Sequence, residues 1–247
     1  MMRPPRDFWD YLRSMTPARI ALGRAGDGLP VRRLLEFELA HARARDAVWT
    51  ALDSAALLSD LAAWRPVLVR SAAPDRRTFL QRPDLGRRLA QDSEHVLSRG
   101  VYDATIIIAD GLSANAMQTQ GAPLCKMLLA APNFIFAPPV VALQARVALG
   151  DEIAARQGAA LAVVLIGERP GLSSCDSAGA YLTFGPEPGA TKDSGRNCVS
   201  NIRRHGLSLE EASRRILAIM TLARTLRRTG TTLKEDEALD LLPPPRC

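Results

Sequence analysis

Along the chain, short unbroken apolar runs alternate with stretches in which apolar residues return every three or four positions. The sharpest run lies in 161–174, LAVVLIGERPGLSS. It is apolar from Ala162 to Ile166, stops at Gly167, and continues as Glu168, Arg169, Pro170 and Gly171. So short a run without polar alternation predicts a strand buried on both faces. A parallel strand releases its loop at its C-terminal end, where open α/β sheets place ligands.

The rest of the chain is placed around this strand. An amphipathic stretch around Phe8, Trp9, Tyr11 and Leu12 predicts an arm or a packed helix within 1–13. The glycines of 16–28 predict a loop, either a connector or a partner-facing surface. Val31, Leu34, Leu35, Leu39 and Ala42 recur at helical spacing, predicting a helix over 29–49. A second helix is predicted near 54–63, a short edge strand at 67–71, and a helix opened by Pro83 and Asp84 and ended by Gly100. From Val101 the pattern changes. Residues 104–109 read as a buried strand and 114–130 as a helix. The prolines in 134–141 mark an edge or irregular strand. A helix over 147–157 stops at Gly158, and strands are predicted at 160–166 and 180–184. Ser208 and Glu211 form a capping box for a last helix ending at Gly230.

Strands separated by helices predict an α/β fold: a Rossmann-like parallel sheet with helices on both faces, preceded by a mostly helical extension. The division is 1–100 for the extension, 101–230 for the sheet domain and 231–247 for a loosely ordered tail. With 247 residues, 47% of them apolar, the chain is long enough for such a core. It lacks an 18-residue apolar run and a signal-peptide core, which points to a cytoplasmic protein without membrane contact. The four cysteines match no metal or redox spacing. The net charge of +6 comes from dispersed arginine pairs without aromatic interleaving, which argues against nucleic acid.

Three loops are expected at one sheet edge: 110–113, 168–175 and 185–201. They carry glycines, small hydroxyls and few charges, suited to close backbone approach to a large polar ligand. The histidines are His41, His95 and His205, and only His205 comes near these loops. No phosphate-binding glycine motif is present. Glu168 reads either as the partner of an arginine or as an acceptor for ligand N–H groups. Cys198 reads as a small buried apolar residue, and Val147 as a packing residue at a helix start.

Six collinear segments, TPARIALGRAG, LQRPDLGRRL, IIADGLSANA, RVALGDEI, VVLIGERPGLSS and RNCVSNIR, resemble the small (light) subunit family of ethanolamine ammonia-lyase. The resemblance implies adenosylcobalamin as cofactor and a catalytic large subunit as partner. It also implies a reaction in which a radical born from cobalt–carbon homolysis converts ethanolamine to acetaldehyde and ammonia. The family's cobalamin contacts fall on Val147, Glu168 and Cys198, with Arg146, Arg169, Ser113 and Asn197 as neighbours. It assigns no catalytic or metal-ligating residue to this chain. The cofactor keeps its own dimethylbenzimidazole on cobalt, so no protein histidine ligand is expected. Some relatives work within an ethanolamine-utilisation microcompartment; the roughly 15 residues before Thr16 weigh against packaging here. The competing expectations are a stand-alone α/β nucleotide-binding or hydrolytic enzyme and a purely structural assembly factor.

Overall fold

The computed structural model describes residues 7–16 and 18–233. Of the arm expected over 1–13, residues 1–6 lie outside the described residues, and of the tail expected over 231–247, residues 234–247 do. The elements in order are α1 (Phe8–Met15), α2 (Val31–Trp49), α3 (Ser54–Asp60), β1 (Val67–Arg70), α4 (Arg76–Gln81), β2 (Tyr102–Ala109), α5 (Ala114–Leu129), β3 (Val140–Leu143), α6 (Leu149–Gln157), β4 (Ala159–Gly167), β5 (Ala178–Phe184), β6 (Asn197–Ile202) and α7 (Leu209–Leu226).

The architecture is α/β, and its six strands form one sheet in the order β1-β3-β2-β4-β5-β6. The expectation of a wholly parallel sheet is corrected. β1, β3, β2 and β4 run parallel, whereas β5 and β6 are antiparallel to their neighbours. The cause is loop length. Residues 168–177 are too few for a crossover helix, so the chain turns back beside β4. A tight pairing of Gly171 with Ser174 makes that turn.

Strand alternation divides the core between the two faces. Ile106, Ile108, Val163 and Leu165 point into a layer shared with α3, α5 and α7. Ile107, Ala109, Val164 and Ile166 point into the layer covered by Leu149, Ile153 and Ala154 of α6. Double-sided burial explains the absence of alternation in IIIA and VVLI. Gly150 lets α6 approach closely: a Cβ there would stand 2.4 Å from Val164 Cγ2.

Two further expectations are corrected. The helix expected over 83–100 is two 3-10 segments, Leu85–Arg87 and Gln91–Val96. Between them the backbone pairs with the end of β1, Ala72 and Ala90 donating to Arg88 and Arg70 carbonyls respectively. That pairing draws out the chain, and Leu89 and Leu97 are buried against the sheet. The strand expected at an edge within 134–141 is β3, which begins after the prolines and lies between β1 and β2. Pro138 and Pro139 cannot donate to a ladder. The Pro138 carbonyl is used nonetheless, accepting from Gln157 Nε2 at 2.9 Å.

Candidate functional site

The parallel strands deliver β2, β3 and β4 to one edge, and a buried carboxylate locks their loops together. Asp110, directly after β2, accepts from the backbone N–H groups of Gln144 at 2.9 Å and Ala145 at 3.0 Å. Arg76 stands 3.5 Å away. Burial pushes the Asp110 carboxyl above its usual range, while the two N–H groups and Arg76 pull it down. Gly111 follows with φ +55, and a Cβ there would lie 2.3 Å from the Gly167 carbonyl. Only glycine permits that crossing of the β2 and β4 loops. The Leu112 N–H donates to the Gly167 carbonyl at 3.0 Å.

Above this crossing opens a cavity of about 450 Å³. Gly111, Leu112, Val147, Ile166 and Gly167 give it an apolar and backbone floor, and Arg146, Glu168, Arg169 and Tyr181 give it polar walls. Two of the three expected contact residues, Val147 and Glu168, meet here. Glu168 is half-buried and not ion-paired with an arginine among the described residues. Its Oε2 accepts from the Ser177 hydroxyl at 2.6 Å. Its Oε1 receives only a long bond from the Asn201 N–H, at 3.4 Å. The carboxylate is thus oriented while one oxygen keeps acceptor capacity.

Cys198 lies on β6 rather than in a loop. It is exposed, not the buried small residue that its type suggests. It does not line the cavity itself. Its register partner on β5 is Tyr181, and that tyrosine connects thiol and cavity. Burial first, then the hydrogen-bonded Cys198 thiol and the Glu168 charge, push the Tyr181 hydroxyl up to about 12. It stays protonated at neutral pH as a donor. Tyr181 was missed from sequence because its position depends on the antiparallel return of β5, which the apolar pattern does not reveal.

Arg146 is a fixed cation. Its guanidinium sits 4.3 Å from the centroid of the fully buried Phe79 ring, a cation–π stack. One NH2 group donates to the Phe79 carbonyl at 3.3 Å, and its backbone N–H donates to Gly86 at 2.8 Å. Burial, then the neighbouring charges of Arg76, Arg87 and Arg169, hold its pKa below the usual value. Its Nε is buried without a hydrogen-bond partner among the described residues.

The other expected neighbours are elsewhere. Ser113 is fully buried and donates to the Cys175 carbonyl at 2.7 Å, holding the loop rather than facing the cavity. Asn197 ties down the chain after α7, through the carbonyls of Gly230 and Leu233 and the Gly230 N–H. The loop over 185–201 does not leave the same edge. Because β5 is antiparallel, Phe184 ends opposite Leu161, near the start of β4. The chain then folds back over α6, where Arg196 pairs bidentately with Asp151 at 2.7 and 2.6 Å. Its last residues form β6.

The cavity wall offers a carboxylate acceptor, a phenol donor, guanidinium groups and an apolar floor. Among the described residues no histidine, serine or cysteine lines it, so they place no nucleophile–base pair there. No cluster of histidine, cysteine and carboxylate suited to a metal occurs among the described residues. None of their helices is long and apolar enough to cross a membrane.

The model of the family "Ethanolamine ammonia-lyase light chain (EutC)" matches residues 6–234. The small subunit of ethanolamine ammonia-lyase from Rhodococcus erythropolis is 48% identical over 243 residues, covering 96% of this chain and 93% of its own. The corresponding subunit from Xanthomonas campestris pv. campestris is 46% identical over 250 residues, covering 97% and 92%. That from Azotobacter vinelandii is 48% identical over 239 residues, covering 92% and 88%.

Proposed function

The chain belongs to the ethanolamine ammonia-lyase light-chain family and is a lyase subunit, and from that premise we propose that it holds adenosylcobalamin against a catalytic large subunit. One observation carries the reading. Val147 and Glu168, remote in sequence, line the same open cavity, and Tyr181 joins Cys198 to it. We take the parallel β1-β3-β2-β4 portion with its helices as a Rossmann-like cobalamin domain, and the segment before the sheet as its helical extension.

The residues fit the cofactor. A corrin rim carries primary amides around a methyl-bearing ring. Glu168 accepts amide N–H bonds, protonated Tyr181 donates to an amide carbonyl, and Val147, Leu112 and Ile166 supply apolar contact. Arg146, which lines the cavity, is a further donor. A cavity of about 450 Å³ is too small to enclose a corrin, so this chain provides one wall and the large subunit the other. Exposed apolar residues on α1 (Phe8, Trp9) and α2 (Val31, Leu35, Leu39) give that subunit a surface to cover.

When bound, the cofactor supplies the radical chemistry of the deamination of ethanolamine to acetaldehyde and ammonia. This chain binds it, fixes its orientation through Glu168 and Tyr181, and excludes water from one side. We assign the cobalt the cofactor's own dimethylbenzimidazole, as the family resemblance implies. We place the assembly in the cytoplasm, or in an ethanolamine-utilisation microcompartment where its host builds one.

Reconstitution tests the reading. Purified chain, large subunit and adenosylcobalamin together produce acetaldehyde from ethanolamine, and omission of the chain abolishes production. Full activity without the chain overturns the proposal. Turnover by the isolated chain would favour a stand-alone enzyme.

A further inference from the structure

None of the described residues lining the cavity belongs to α4, yet α4 holds Arg146, which does line it. The Phe79 ring of α4 carries the Arg146 guanidinium at 4.3 Å, and the Phe79 carbonyl accepts from it at 3.3 Å. Arg76, the first residue of the same helix, places a second guanidinium 4.8 Å from that ring. Its N–H groups go elsewhere. Nε donates to the Val48 carbonyl at the end of α2, at 2.7 Å. Nη1 donates to the Gly111 carbonyl at 2.8 Å, and Gly111 is part of the cavity floor. One buried side chain, 12% exposed, thus ties together α2, the loop after β2 and the ring beneath Arg146.

The chemistry of that tie calls for arginine. A planar guanidinium donates from two edges while its face rests on an aromatic ring, whereas an ammonium is a point charge without a face to stack. Two like charges at one ring also repel. Asp110, 3.5 Å from Arg76, offsets that repulsion. The carboxylate is thereby engaged by Arg76, and the Arg146 charge is left to face the cavity.

We propose that Arg76 is a positioning residue for the cofactor: through Phe79 it sets where the Arg146 guanidinium stands, and through the Gly111 carbonyl it fixes the floor beside it. The inference rests on the functional reading above and deepens it, because Arg76 lines no part of the cavity and acts through residues that do.

A double-mutant cycle tests it in the assembled complex. Adenosylcobalamin is titrated spectroscopically into wild type, Arg76→Lys, Arg146→Gln and the double variant, beside a thermal melt of each. Ile216→Val, in the core layer under α7, is the control for lost stability alone. Arg76→Lys is expected to weaken cofactor binding by roughly three- to tenfold, the range for residues that act on a site from outside it. In the Arg146→Gln background its further effect should shrink to within about twofold, because the two residues act as one unit. The Ile216→Val control should lower the melting temperature and leave affinity unchanged. Should Arg76→Lys fail to fold, Phe79→Leu, which takes away the ring that both guanidiniums share, is carried through the same cycle with the same expectation. Equal losses in the two backgrounds, no loss in either, or the same loss in Ile216→Val overturn the positioning role and leave the functional reading standing. A wild-type complex that does not bind adenosylcobalamin overturns both.

Discussion

Replacing Glu168 by glutamine keeps the side chain's shape and removes its charge. In the wild type, Oε2 is engaged by Ser177 at 2.6 Å, while Oε1 receives only the long Asn201 bond at 3.4 Å. Oε1 is therefore the atom available to a corrin amide. Hydrogen bonds to charged groups contribute about 1.5–3 kcal/mol, against about 0.5–1.5 for neutral pairs. The exchange therefore costs about 1 kcal/mol of binding, roughly fivefold in Kd. Alanine removes the acceptor altogether and costs about 1–3 kcal/mol of binding. It also strands the hydroxyl of Ser177, itself only 5% exposed, and so lowers stability by about 1 kcal/mol. The assay is spectroscopic titration of adenosylcobalamin into the assembled complex, beside a thermal melt of each variant. Glutamine should change affinity with little change in melting temperature, and alanine should change both. A glutamine variant with wild-type affinity refutes the assignment of Oε1 to the cofactor.

Thiol chemistry reports the same surface: in mildly alkaline buffer an alkylating agent should modify exposed Cys198, and bound cofactor should protect it, as read by mass spectrometry. Cys125 should stay unmodified in the native protein, because burial pushes its thiol up to about 12 and the reactive thiolate is scarce until the pH approaches that value. Gly150→Ala sets a Cβ 2.4 Å from Val164 Cγ2 and should destabilise the fold by about 1–3 kcal/mol in urea denaturation. Asp151→Ala leaves Arg196, 8% exposed, without its bidentate partner and should cost about 3–5 kcal/mol; a wild-type denaturation midpoint would contradict a structural role for that pair.

The apolar pattern located β2, β4 and α6 because strands buried on both faces and a glycine-stopped helix leave local signatures. It also marked the loop after β4, and Glu168 within it, which lines the cavity. The direction of β5 was not legible, since antiparallel return depends on how far 168–177 can reach rather than on any single residue. With that direction went Tyr181, the β6 location of Cys198 and the true course of the 185–201 loop. Arg146 was visible only as a neighbour of Val147. Its rigidity comes from Phe79 and Gly86, some 60 residues earlier in the chain, and no local pattern announces that contact. Ser113 and Asn197 misled for the opposite reason: they are polar and close in sequence to the loops, yet tertiary hydrogen bonds turn both to structural use.

The central claim is that this chain supplies one wall of the cobalamin site. Equilibrium binding of adenosylcobalamin to the large subunit, with and without this chain, tests it most directly. Binding should be weak to either subunit alone and tight to the two together. Equal affinity for the large subunit in the presence and absence of this chain would contradict it.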